Sequence, residues 1–433
     1  MIVHLHPFVS SKIFKILTAV VIFLLQSNNH IASCQDSTYK TYPFIIQDSP
    51  ALLYTMHQSD MNYLSGYRLF SSYLDNHLNI KHAELVKLPL LFFTLVITHE
   101  EGHRSVLTSE NIGSVSRPFF NKHGVAYVQG VTDETLQNLR DTRLPVYIRL
   151  HTAGLESDYM LTKETETLIS FGQENFKTLW IEYYLRKFQI IQYYMYGLFG
   201  AEVDIKEEPD ELKRDIVGHD IYGAVRHLYR PDMEFHRYTR FAQLTSEEKK
   251  FVRTAGWYSL LNLVSPLILG KENFNLTENL KFNFGLGYTM VPFGGMIDEN
   301  MWFTWKGKNN ISFYVREYYN KNNWFPAAGI GLEQYPLFSG KVLTDISGHI
   351  WSQPESLSFT TGKSTTGGAI DLTLRIPFFI RTAGSFRAIS LDAGLIYKTK
   401  GFLPEEIIMD EHLGFRIGTS LFINTKSQQK VTD

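Results

Sequence analysis

The feature that most restricts this chain of 433 residues is a change in the period of its apolar positions near residue 280. Beyond that point Phe282, Phe284, Leu286, Tyr288 and Met290 alternate with Lys281, Asn283, Gly285, Gly287 and Thr289. Ile370, Leu372, Leu374, Ile376 and Phe378 alternate in the same way with Asp371, Thr373 and Arg375. A period of two places successive side chains on opposite faces of a strand, whereas a period near 3.6 makes one stripe on a helix. Comparable segments lie at Met301–Trp305, Ile311–Tyr319, Ala327–Tyr335, Val342–Trp351, Ile389–Tyr397 and Phe415–Ile423, giving eight predicted strands. Polar turns such as Gly307-Lys308-Asn309-Asn310 separate them. Eight antiparallel strands close into a barrel without leaving an edge exposed. From about Tyr42 to Gly270 the spacing is helical instead. The expected fold class is therefore α+β multidomain: a mainly α-helical N-terminal domain over 42–270, then an eight-stranded antiparallel β-barrel over 280–425.

The alternation fits two barrels that place the apolar face oppositely. A transmembrane barrel turns it to lipid and keeps Asp345, His349, Asp371, Arg375, Asp392 and Arg416 in a polar interior, whereas a soluble ligand-binding barrel turns it inward. Aromatic residues lie near the predicted strand ends, among them Trp302, Trp305, Tyr318, Tyr319, Trp324, Tyr335, Trp351, Phe378 and Phe379. The stretch 394–401, a loop, and then Gly414-Phe415-Arg416-Ile417-Gly418-Thr419-Ser420-Leu421-Phe422 resemble the final hairpin of bacterial outer-membrane β-barrels. That resemblance implies seating in the outer membrane of a Gram-negative bacterium, with membrane lipid as a partner.

Within the helical half, His99-Glu100-Glu101-Gly102-His103 follows the apolar run Leu90-Leu91-Phe92-Phe93-Thr94-Leu95-Val96-Ile97. Residues four apart stack on one helix face, so both imidazoles can bind one Zn²⁺ while Glu100 reaches the water such an ion carries and acts as general base. This combination describes hydrolysis of a peptide or amide bond. The motif and its lead-in resemble the zincin metallopeptidases. Val106 and Ser109 stand where metzincins place glycine and histidine, so the resemblance is to zincins in which a distant carboxylate completes the site. It implies a peptide or protein substrate.

A catalytic zinc needs a third protein ligand. Glu156, in the polar cluster 151–158, is the first candidate, with Asp158 as an acceptor that orients His99 or His103. The competing cluster is His219-Asp220, with Asp215 before it and His227 after it. A plainer reading makes His99 and His103 the polar end of a buried helix, and the chain a non-catalytic barrel protein with a helical plug or scaffold.

Residues 1–33 read as a signal peptide, with Lys12 and Lys15 before an apolar core over 16–25. Ile31-Ala32-Ser33-Cys34 resembles the box at which bacterial lipoproteins are cut, so Cys34 is a candidate for lipid attachment, with ordinary signal cleavage as the alternative. Cys34 is the single cysteine, which excludes an intrachain disulfide. A net charge of -2 and the lack of a basic stripe with interleaved aromatics exclude a nucleic-acid partner.

Overall fold

The computed structural model describes residues 39–49, 53–117, 126–202, 207–380 and 385–424. The expected signal peptide and Cys34 lie outside these residues. Its arrangement is α+β, with helices concentrated before residue 270 and a large antiparallel sheet after it.

The eight strands expected from the alternation are present as β5 (Leu280–Val291), β6 (Gly294–Trp305), β7 (Asn309–Tyr319), β8 (Trp324–Leu337), β9 (Val342–Pro354), β10 (Ser364–Ile380), β11 (Phe386–Lys398) and β12 (His412–Asn424). The sheet has ten strands rather than eight. The short β4 (Phe274–Thr277) adds to β5, and β1 (Tyr39–Gln47) returns from the start of the chain to pair with β12. The sheet order is β1-β12-β11-β10-β9-β8-β7-β6-β5-β4. The segment from Tyr42 thus opens as a strand, not a helix. Its run of aromatic and β-branched residues suits a pleated surface, and the partner it needs lies almost 400 residues away.

Seven α-helices are described: α1 (Met56–His77), α2 (Ile80–Ser109), α3 (Asp133–Thr142), α4 (Leu144–Ser170), α5 (Phe176–Phe199), α6 (Asp220–Tyr229) and α7 (Ser246–Ser259). A two-stranded sheet of β2 (Val115–Arg117) and β3 (Tyr127–Gln129) follows α2. α2 starts on the side chain of Asn79, which accepts from His82 N, so Pro89 sits well inside the helix. Val146–Leu150 forms the start of α4 despite its β-branched residues Val146 and Ile148. Pro145 occupies the first turn there, where a missing N–H costs no hydrogen bond. Among the described residues no helix is long and apolar enough to cross a membrane.

Both edges of the large sheet are covered by helical elements. On β1, Asn62 and Gln58 of α1 bond the Ile45 N–H and the Ile45 and Ile46 carbonyls at 2.7–3.2 Å, and Ser65 donates to the Pro43 carbonyl at 2.5 Å. On β5, beyond the reach of β4, Leu286 N donates to Val264 O at 2.8 Å and Met290 N to the Tyr194 hydroxyl at 2.8 Å. Asn262 clamps both polar groups of Tyr288. These contacts satisfy main-chain groups that would otherwise offer a template for another strand.

α4 is the central element. Its first half packs among helices, and its second half packs on the sheet, where Tyr159 donates to Asp298 at 2.8 Å and Trp302 donates to Thr167 at 2.8 Å. The largest core cluster accordingly mixes helix residues such as Leu150, Leu155 and Ile221 with strand residues such as Tyr288, Met290 and Met296.

The apolar face of β9–β12 points outward, whereas Tyr288 and Met290, on the same face of β5 as Phe284, are buried against helical elements. Ile350, Ile370, Ile376, Phe378, Leu391, Leu413, Phe415 and Ile417 are exposed. The charges of the same strands point inward: Asp345, His349, Asp371, Arg375, Asp392 and Arg416 line one interior cavity of about 350 Å³ together with Lys163 and Glu164 of α4. Arg316 holds Asp298 through two bonds of 2.5 and 2.7 Å, and Arg416 bridges Asp48 and Asp371 at 2.5 and 2.8 Å. Of the aromatics near strand ends, Trp302, Tyr318, Tyr319 and Trp351 are buried inside, whereas Trp324 and Phe378 face out.

Candidate metal centre

His99 and His103 lie on the face of α2 that meets α4, with ring centroids 5.0 Å apart. Close helix approach makes this possible. A Cβ on Gly102 would stand 2.5 Å from the Ala153 carbonyl oxygen, and one on Gly154 would stand 2.5 and 2.6 Å from the Nε2 atoms of His99 and His103. Two glycines that weaken their helices locally therefore create the space the imidazoles occupy.

The third group is Asp220, the first residue of α6. Its Oδ2 lies 3.1 Å from His99 Nε2 and 3.6 Å from His103 Nε2. One donor atom from each of the three residues falls within 4.8 Å of the others, and all three residues are buried. The Nδ1 atoms are engaged on their far sides. His103 Nδ1 lies 2.6 Å from the Leu150 carbonyl, which accepts only from an N–H, so the lone pair is left on Nε2. His99 Nδ1 lies 2.8 Å from Asp158 Oδ2. Asp158 is itself held by Arg186 at 2.6 Å and by Gln189 at 3.0 Å, and Arg186 also bonds Glu182 and Thr98. A carboxylate or carbonyl behind each histidine is the support that metal-binding imidazoles use to fix their tautomer and orientation.

Glu156 does not join this centre, which corrects the expectation that it supplies the third ligand. Gly154 and Asp158 share a helix face with His151, whereas Glu156 points about 200° away from Gly154 around the helix. There Arg149 grips it through two bonds of 3.1 and 2.6 Å, and Glu405 N donates to it at 2.8 Å from the β11–β12 loop. Arg149 also donates to the Glu406 and Ile407 carbonyls, so this pair ties α4 to the loop. His219 takes the capping position of α6, accepting from Tyr222 N at 3.5 Å and stacking on the Tyr222 ring at 3.8 Å.

Glu100 is buried beside the triad, and it lines a cavity of about 660 Å³ with His99, His103, Asp215 and Asp220. Burial, reinforced by the nearby Glu100, pushes the Asp215 carboxyl up to about 8. Burial also acts to raise Asp220, but the charges and hydrogen bonds of His103 and His99 outweigh it and hold that carboxyl well below the usual range. His219 and His151 are pushed down to about 4 and about 3 by burial. Among the described residues, neither ring nitrogen of His151 has a hydrogen-bond partner.

The helical register of the motif, Asp158 and the His219-Asp220 cluster were legible in sequence. The choice of Asp220 over Glu156, and the parts played by Gly102, Gly154, Arg186 and Tyr193, were not. Tyr193, which stacks on His99 with centroids 5.1 Å apart, comes from an aromatic-rich helix that reads as core packing.

The donor set fits a borderline-soft divalent cation. Two imidazole nitrogens and one carboxylate oxygen are a three-ligand set that leaves a further position for water or substrate. Comparison with protein-family models, with curated proteins and with solved structures found no match.

Proposed function

We propose that this protein is a zinc-dependent hydrolase of peptide or amide bonds, seated in an outer membrane by its sheet. The observation that carries the reading is the convergence of His99 Nε2, His103 Nε2 and Asp220 Oδ2 with Glu100 in the same cavity. His99, His103 and Asp220 would hold the zinc ion, which would supply Lewis acidity toward water and a substrate carbonyl. The chain's own residues supply the rest. Glu100, one position after the first ligand, accepts the proton from attacking water and returns it to the leaving nitrogen. Asp158 and the Leu150 carbonyl hold the imidazoles in the tautomer that offers Nε2. Buried Asp220 balances part of the cation's charge.

The membrane reading rests on the outward apolar face of β9–β12 and the inward charges of the same strands, the arrangement of a transmembrane barrel rather than of a soluble ligand-binding one. In this reading α1 on one side and the 262–264 segment with α5 on the other complete the wall between β1 and β5, where a barrel of strands alone would pair edge to edge. Satisfaction of main-chain groups at both edges by helical elements supports it, because lipid supplies no hydrogen bonds of its own.

The test is metal content and hydrolysis on the same preparations of full-length protein, compared with H99A/H103A and with E100Q. The proposal expects about one zinc per chain, lost with activity in the double variant and retained without activity in E100Q. Absence of metal from the unaltered protein sinks it. A scaffold role would leave activity absent throughout.

A further inference from the structure

The cavity in front of the triad has two chemically different ends. One is polar, formed by the triad with Glu100 and Asp215. At the other, Phe92, Leu95 and Val96 of α2 face Leu185 and Phe188 of α5. Phe92 is 58 % exposed and Phe188 64 % exposed, so the groove opens on the outer surface of the molecule rather than into the core. That surface is apolar along α2 itself, where Leu85, Val86, Leu88 and Phe93 are also exposed. A lateral apolar slot thus runs from the outside of the helical wall to the candidate metal centre.

We propose that this slot holds the acyl chain of an N-acylated amphiphile, and that the bond hydrolysed is the amide joining that chain to its head group. The inference rests on the zinc-hydrolase reading and adds its substrate class. The reaction takes up one water: the acyl carbon gains a hydroxyl oxygen as its C–N bond breaks, and the leaving nitrogen gains a proton, giving a fatty acid and an amine.

Three observations favour an acyl chain over a peptide. First, the groove walls are helices, whose main-chain groups bond internally, so they cannot pair with the N–H and C=O groups of an extended peptide. Second, its two nearby amide side chains are engaged: Gln189 donates to Asp158 at 3.0 Å and Gln192 to the Tyr196 hydroxyl at 2.7 Å. Third, the strand beside the centre, β3, is covered on both sides. β2 pairs with one edge, and on the other Ile216 N donates to Val128 O while Gly130 N donates to Leu212 O. An alkyl chain asks for no hydrogen bonds and gains free energy with every methylene it buries. The polar end, with Tyr127, Lys213 and Tyr238 on its rim, is left for the head group.

The experiment uses full-length protein in lipid nanodiscs and an N-palmitoyl lysine amide probe carrying a diazirine near the end of its acyl chain. Crosslinks are mapped by mass spectrometry, with zinc content measured on the same samples. E100Q is the background for binding, so that the probe is not consumed. Labels are expected on residues 92–96 of α2 and 185–188 of α5. V96W, from one wall, and L185W, from the other, should each reduce groove labelling about tenfold, since a filled slot displaces two or more methylenes. Zinc and labelling of the outer strand face at Phe415 should be unchanged. The two sites are half-buried and on different helices, so a folding defect in one leaves the other informative. Labels spread evenly over Phe415 and Ile370 with no groove preference overturn the proposal, because the probe then only partitions into lipid. Equal competition by an unacylated apolar peptide also overturns it and assigns the slot to peptides. Groove labelling without zinc in the unaltered protein upholds the slot and fails the metal reading, so the two claims separate.

Discussion

A Cβ placed on Gly154 would stand 2.5 Å from the Nε2 of His99, the atom that faces Asp220. Contact that close forces a shift, and the imidazole is held from behind by Asp158, so it has little freedom to give way. G154A tests this directly. On propensity alone alanine stabilises the helix by about 1 kcal/mol. The expected outcome is retained helicity by circular dichroism with zinc affinity, measured by chelator competition, lowered by about tenfold or more.

Asp220 and Glu156 are both buried carboxylates, and their variants should fail in different ways. D220N removes a charge from the cation site and is expected to abolish tight zinc binding while the protein stays folded. E156Q leaves the Arg149 guanidinium buried without its counter-charge and should destabilise the fold by about 3–5 kcal/mol, as broken buried pairs do. Its zinc stoichiometry should remain about one per chain once folded. Denaturant melts and metal analysis of the two variants side by side check the assignment.

Two buried histidines set an acid limit. Burial pushes His151 to about 3 and His227 to about 2, whereas an unfolded histidine titrates near 6.5. Between those values the unfolded chain carries the extra protons, so stability is full above about pH 6.5 and falls as pH drops toward 3. The slope is about 1.4 kcal/mol per pH unit for each histidine. H151L loses no hydrogen bond to the described residues, since neither ring nitrogen has a partner among them, and should flatten the slope. Thermal unfolding in detergent at pH 7.5 and 5.5 reads the difference.

Phe415 and Arg416 are neighbours on β12 with opposite environments: Phe415 is exposed on the outer face, and Arg416 sits among Asp48 and Asp371 inside. F415R should cost about 2–4 kcal/mol of membrane stability if the residue lies near the bilayer midplane, and less toward either interface. R416L should leave partition into lipid unchanged and loosen the interior instead. Folding into vesicles of defined lipid, followed by protease resistance, separates the two.

Local periodicity was readable from the chain alone. The eight long strands, their two-faced character and the pairing of His99 with His103 on one helix face all depend on residues a few positions apart. Propensity and side-chain alternation act over that range. Everything that depends on distant partners was settled only by packing in three dimensions. β1 finds its place only beside β12, and Gly102 has a reason only because α4 crosses it at the Ala153 carbonyl. Asp220 reaches His99 across 121 positions, whereas Glu156, much nearer in sequence, is turned away by helix phase and taken by Arg149. A single charged residue carries no local mark of which cation it will meet. The packing of α2, α4 and α6 made that choice.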